Sequence, residues 1–230
     1  MNKKIFLLVV CALLTVGQMN AQWGRKNYWN FSWVDQNLTN EDNGLSWQSD
    51  YGASIVKGTT YYLHSKPLFG MLKFGLDWTQ LDLNYAKLVE NFELLPNAGN
   101  GSFIPDIDLG KHQMEYSMHI GPSLTFNPVD HLKINGYFRY APSFSGILYE
   151  DMAGDTEFSG AFANFFVTGG AISWKLISIG AEYRWGNGKY KSYAFDTGGI
   201  ADDTDFTDIM KTSKSKFKTT STRFYVSLRF

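Results

Sequence analysis

Charged residues that recur at even spacing inside otherwise apolar runs are the part of this chain with the most chemical capacity. Glu115 and His119 alternate with Met114, Tyr116, Met118 and Ile120. Lys133 and Arg139 alternate with Leu132, Ile134, Phe138 and Tyr140, Glu182 and Arg184 with Ala181, Tyr183 and Trp185, and Arg223 and Arg229 with Phe224, Val226 and Leu228. Successive side chains of a strand point to opposite faces, so these charges share one face, and Asp77 and Asp82 join them by the same count. Ions of both signs withdrawn from water are tolerated only when paired and hydrogen-bonded. The predicted chemistry is a buried ion-pair network of Glu115, His119, Lys133, Arg139, Glu182, Arg184 and Arg223. It serves either as a structural plug or as the lining of a narrow conduit.

Other reactive patterns are weak. The histidines are His64, His112, His119 and His131, and none has metal-ligand spacing to another His or to Cys. Cys11 is the sole cysteine, and there is no Gly-x-Ser-x-Gly elbow. The acidic stretch Asp202-Asp203-Thr204-Asp205 lacks the glycine and distal glutamate of a calcium loop. Neither metal nor cofactor is expected.

The elements that must hold the charges are strands. Besides the runs above, Trp29, Phe31 and Trp33 alternate with Tyr28, Asn30 and Ser32, and Trp47, Tyr51, Ala53 and Ile55 lead towards Tyr61 and Leu63, with Lys57 as a blemish. Leu72, Phe74, Leu76 and Trp78 keep even parity, then Leu81, Leu83 and Tyr85 keep odd parity, which predicts a β-bulge near Thr79 and Gln80. The segment from Gly160 to Ile172 is apolar on both parities and leaves its facing open. The count predicts eight strands.

Longer polar segments at Thr39–Gly44, Lys87–Lys111, Gly146–Phe158 and Ser192–Ser215 alternate with tight turns at Ser65–Pro67, Asn127–Asp130 and Trp174–Lys175. That order puts the long loops, which hold most of the carboxylates, at one end and the turns with both termini at the other. The fold class is all-β, an up-and-down antiparallel meander with an even strand count that can close without free edges.

Lys3 and Lys4 precede an apolar run from Ile5 to Val16, too short to span a bilayer but suited to a signal-peptide core. Cleavage after Ala21 divides the chain into a signal, 1–21, and one domain, 22–230, that contains no cysteine. The 230 residues carry 21 Lys plus Arg against 22 Asp plus Glu, with no basic stripe, so nucleic acid is not an expected partner. No apolar run reaches the roughly 18 residues of a membrane helix.

The remaining question is which solvent lies outside. The apolar parity is rich in Trp, Tyr and Phe, too bulky for the interior of eight strands, whereas Gly75, Gly121, Ser123, Ser178, Gly180 and Ser227 on the other parity suit one. Apolar-out and polar-in is the pattern of a transmembrane β-barrel; the reverse would be a soluble, lipocalin-like ligand-binding barrel.

A signal, amphipathic strands, long loops at one end, and Phe230 preceded at two-residue steps by Leu228, Val226 and Phe224 resemble the small bacterial outer-membrane β-barrels of the OmpA/OmpX type. The signal ending Ala21-Gln22 and the aromatic richness resemble such proteins of the Bacteroidetes. The resemblance implies an eight-stranded transmembrane barrel in a Gram-negative outer membrane, with a structural or surface-interaction role through its outer loops. It implies Phe224, Val226, Leu228 and Phe230 as a C-terminal signal for the barrel-assembly machinery, although Tyr225 stands where such signals commonly carry Gly. Outer-membrane lipids and lipopolysaccharide are the implied partners, with Lys211, Lys214, Lys216 and Lys218 placed to meet lipopolysaccharide phosphates. Some barrels of this size resemble lipid-A-modifying enzymes; here His112 and His119 would be the candidates, and no catalytic residue is assigned.

Overall fold

Alternating apolar and polar residues, many of them aromatic or β-branched, favour a pleated surface with two unlike faces. The computed structural model describes residues 26–90, 111–129, 131–150, 156–195 and 210–230. Its strands are β1 (Asn27–Asn40), β2 (Ser46–Tyr62), β3 (Leu72–Glu90), β4 (Lys111–Val129), β5 (Leu132–Glu150), β6 (Thr156–Trp174), β7 (Ile177–Phe195) and β8 (Met210–Arg229). Each pairs with its sequence neighbours, and β1 pairs antiparallel with β8 from Tyr28↔Arg229 to Asn40↔Phe217, which closes an eight-stranded barrel. Closure leaves no row of unpaired backbone groups.

The burial alternates as the two-residue period requires. Arg139, Arg184 and Arg223 are essentially inaccessible, while Trp33 is 62% and Phe162 66% exposed. Large aromatic and aliphatic side chains therefore cover the outside and polar groups fill the inside, the reverse of a water-soluble barrel.

Two bulges set which residues face inward. Gln80 is the extra residue between the pairs Gly58↔Thr79 and Lys57↔Leu81, where the parity switch predicts it. Asp50 is extra between Ser49↔Leu88 and Tyr51↔Lys87, and this second slip moves the odd positions of upper β2 to the inner face. Trp47, grouped above with the outer parity, is consequently buried inside. The undecided β6 segment resolves too: Ala161, Ala163, Phe165 and Val167 face inward and Phe162 and Phe166 outward. Lys57 remains on the outer wall, its ammonium 5.5 Å from the centre of the Trp29 ring, a long side chain lying along an aromatic neighbour.

The connections are more even than the polar composition suggests. Strand pairing reaches Glu150↔Thr156 and Phe195↔Met210, so much of the expected Gly146–Phe158 and Ser192–Ser215 loops is strand. The β1–β2 loop spans only 41–45, shorter than the 63–71 connection at the opposite end. Polar residues mark contact with water, and strands that project beyond an apolar band are as wet as loops. The tight reversals place His131 (φ 73°) and Lys175 (φ 56°) in the left-handed region.

Candidate functional site in the barrel interior

Three strands, β3, β4 and β7, deliver the four carboxylates of the mid-barrel interior and three, β5, β7 and β8, deliver its guanidiniums, because the inward parity of these strands places charges at a similar depth. Asp77 of β3 accepts from Arg139 of β5 at 2.7 Å. Arg223 of β8 donates to Asp82 at 2.8 Å and to Glu182 of β7 at 3.2 Å. His119 Nε2 stands 3.0 Å from the same Asp82 oxygen, a close polar contact that is ionic only when the ring is protonated and that lacks hydrogen-bond geometry. Arg184 of β7 pairs closely with Glu115 of β4.

Neutral donors surround Glu115 and Glu182, whereas Asp77 Oδ1 and Asp82 Oδ1 have no hydrogen-bond partner among the described residues. Glu115 also accepts from Asn84 at 2.9 Å and Gln113 at 3.1 Å, and Gln36 donates to Gln113 at 2.8 Å. The Tyr137 hydroxyl donates to Glu182 at 2.8 Å and meets the Tyr225 hydroxyl at 3.0 Å. Rings from β5 and β6 lie against two of the cations: the Arg184 guanidinium lies 3.5 Å from the centre of Phe165, and that of Arg139 lies 3.6 Å from Tyr137. Cations over aromatic faces gain electrostatically when water is excluded. Arg139 Nη1 and Arg223 Nη2 have no protein acceptor among the described residues.

The sequence-predicted network is thus assembled for Glu115, His119, Arg139, Glu182, Arg184 and Arg223, with Asp77 and Asp82 as essential partners. Lys133 is buried on the same face but near the short-turn end, six residues before Arg139 on β5. Lys73 and Arg229 are buried towards that end as well; the Lys73 ammonium donates to the Ser65 carbonyl at 2.9 Å and lies over the Tyr62 ring.

Sequence reasoning missed a second interior layer. Towards the loop-bearing end, Leu38, Trp47, Ala86, Leu88, Ile147, Ala161 and Tyr190 pack as one buried cluster against Phe217. The Tyr190 and Phe217 rings meet edge to face with centroids 5.0 Å apart. Tyr190 bridges the layers: its hydroxyl donates to Ser145 at 2.9 Å and accepts from Gln113 at 3.2 Å. The available signal was the short apolar run at the upper end of the inward parity, masked by the bulge at Asp50.

Small residues make the large inward rings possible. A Cβ on Gly180 would lie 2.4 Å from the Tyr225 ring, its direct cross-strand partner, and one on Gly58 would lie 2.3 Å from the Tyr28 hydroxyl.

The remaining candidates lie on the outside. Phe224, Val226 and Phe230 are exposed on the outer wall, and Leu228 shares their parity half-buried. Lys214, Lys216 and Lys218 also share it, above the apolar band, where Lys216 pairs with Glu41 and its backbone N–H donates to Asp42 at 2.8 Å. The Lys211 side chain, the signal at 1–21 and the acidic Asp202–Asp205 stretch lie outside the described residues. His112 hydrogen-bonds the Tyr85 hydroxyl at 2.8 Å, and Tyr85 meets Tyr51 at 3.2 Å. His64 and His131 sit at the connections.

Charges inside, apolar side chains outside and a seam closed by β1 and β8 define a small barrel of the outer-membrane type. The structure is similar to the outer-membrane protease OmpT of Escherichia coli, with a TM-score of 0.51 and 11% identity over 93% of this chain and 99% of that one. It is also similar to the Neisserial surface protein A (TM-score 0.43, 15% identity, 89% and 97% coverage). A third likeness is to the attachment invasion locus protein Ail of Yersinia pestis (TM-score 0.43, 8% identity, 90% and 99% coverage). At these identities the likeness is one of fold. No protein-family model matches the chain, and no curated protein matches its sequence.

Proposed function

We propose that this protein is an integral outer-membrane β-barrel of a Gram-negative envelope, exported through a cleaved signal and plugged internally. Its role is structural or interactive, exerted through the segments that join the strands at the outer end, and not catalytic. The observation that carries this reading is the inversion: three fully buried arginines paired with four carboxylates inside, and exposed rings all round the outside. Such a surface is stable against hydrocarbon and costly in water. What supports a sealed interior is the pair of interior layers, with the apolar cluster above the ions, in a barrel whose strand number leaves room for side chains and little else. The outward C-terminal residues Phe224, Val226, Leu228 and Phe230 match what the barrel-assembly machinery would read.

The test combines three measurements on the full chain. Unboiled protein in detergent migrates differently from boiled protein on a gel, as a folded barrel does. Protease added to intact cells cuts between β3 and β4 and between β7 and β8. Planar bilayers holding the protein show no stepwise conductance. Recovery in the aqueous fraction without detergent would sink the membrane assignment, cuts at 127–130 would invert the orientation, and sustained conductance would make the interior a conduit.

A further inference from the structure

The outer wall changes character abruptly on two adjacent strands. On β7 the outward side chains run apolar from Ile177 to Trp185 and then become Asn187, Lys189 and Lys191. On β8 they run apolar from Phe230 to Phe224, pass through Thr222 and Thr220, and become Lys218, Lys216 and Lys214. The register sets Lys189 opposite Lys216 and Lys191 opposite Lys214, with Lys218 opposite Asn187. Directly opposed like charges destabilise a sheet, their Cβ atoms being only about 5 Å apart.

Neighbouring strands do little to relieve this. On the β6 side, Lys191 faces Gly160 and the nearby outward residue is the exposed Phe162. On the β1 side the carboxylates of Glu41 and Asp42 engage, among the described residues, Lys216 alone of these lysines. Lys189, Lys191, Lys214 and Lys218 have no carboxylate partner among the described residues. The patch adjoins Trp185 and Tyr183, whose rings stack at 5.5 Å; Trp and Tyr favour the level of lipid headgroups. Lysines just beyond such a belt extend their ammonium groups to that level.

Resting on the outer-membrane reading above, we propose that this β7–β8 wall is a phosphate clamp for a phosphorylated glycolipid of the outer leaflet. Lys189, Lys191, Lys214 and Lys218 hold its phosphates while its acyl chains lie on the apolar band below. The patch lies on the lateral wall and continues the lipid-facing surface, which favours a lipid over a soluble polyanion.

The experiment uses purified full-length protein in detergent with bisphosphorylated lipid A, the same lipid after phosphatase treatment, and heparin as a soluble polyanion, with binding read by native mass spectrometry. The phosphorylated lipid is retained about ten-fold or more over the dephosphorylated one, each surface lysine near a charged leaflet contributing a fraction of that preference. The variant K189Q/K191Q/K214Q/K218Q loses the preference while keeping its heat-dependent gel shift, and the corresponding four-arginine variant keeps it. K189Q/K191Q, with two substitutions only, shows an intermediate loss should the larger variant fail to fold. Equal retention of both lipids, or an unchanged preference in the folded glutamine variant, overturns the clamp and leaves the membrane assignment intact. Heparin displacing the lipid at the same lysines with no phosphate preference also overturns it, in favour of a soluble partner. Loss of the gel shift in the wild type would instead refute the barrel reading itself.

Discussion

Midway along its axis the barrel is filled by ions, and towards the loop-bearing end the same inward parity is filled by hydrocarbon. Arg184 belongs to the first layer and Trp47 to the second, with Tyr190 between them. The ionic layer gains direction from its partners: a guanidinium needs its carboxylate and ring in fixed places. The apolar layer needs only shape and volume. An eight-stranded barrel can therefore be specified by charge pairing in its middle and by packing towards its end.

Breaking the ionic layer should cost most. Arg184→Met leaves the buried Glu115 carboxylate with only amide donors, and should lower stability in urea titrations of detergent-folded protein by about 3–5 kcal/mol. Pairing that change with Glu115→Leu should recover most of the loss, since removing both ions leaves no uncompensated charge. A double variant as unstable as Arg184→Met alone would mean that the layer depends on more than this pair.

Trp47→Ala opens a cavity in the apolar layer and should cost about 3 kcal/mol, with the far-ultraviolet circular dichroism of the barrel unchanged. A cost near zero would show that Trp47 does not pack inside, and with it that the Asp50 bulge is wrongly placed. Tyr190→Phe, which removes the hydroxyl joining the layers, should cost about 1 kcal/mol and should be non-additive with Ser145→Ala in a double-mutant cycle.

The smallest effect belongs outside the barrel, at Lys216. Hydrogen bonding to Glu41 raises the Lys216 ammonium above its ordinary value. That pair's contribution is complete below the ordinary lysine value and fades as pH climbs through the raised one. Glu41→Gln should therefore remove only a slight alkaline dependence of stability, below the cost of Tyr190→Phe; a larger change would give the pair a structural weight its exposure does not suggest.

Much of this comparison is legible before any coordinates, because a period of two needs no tertiary information. The strand count, the closed meander, the bulge at Gln80 and the inward facing of Glu115, Arg139, Glu182, Arg184 and Arg223 all follow from residue types read two apart. The facing of β6 does not, because Ala161, Ala163 and Val167 are as apolar as Phe162 and Phe166. Only the ladders to β5 and β7 choose between the parities.

By itself the sequence determined that ions lie on one face and rings on the other, since local alternation encodes a strand's two sides. The tertiary structure alone decided which ion meets which: Arg139 with Asp77, Arg223 with both Asp82 and Glu182, Arg184 with Glu115. It also decided that Trp47 turns inward and that lysines of β7 and β8 stand opposite one another. Partner choice across a closed sheet depends on register, and register is set by bulges and by closure of β1 on β8, which join residues far apart in the chain.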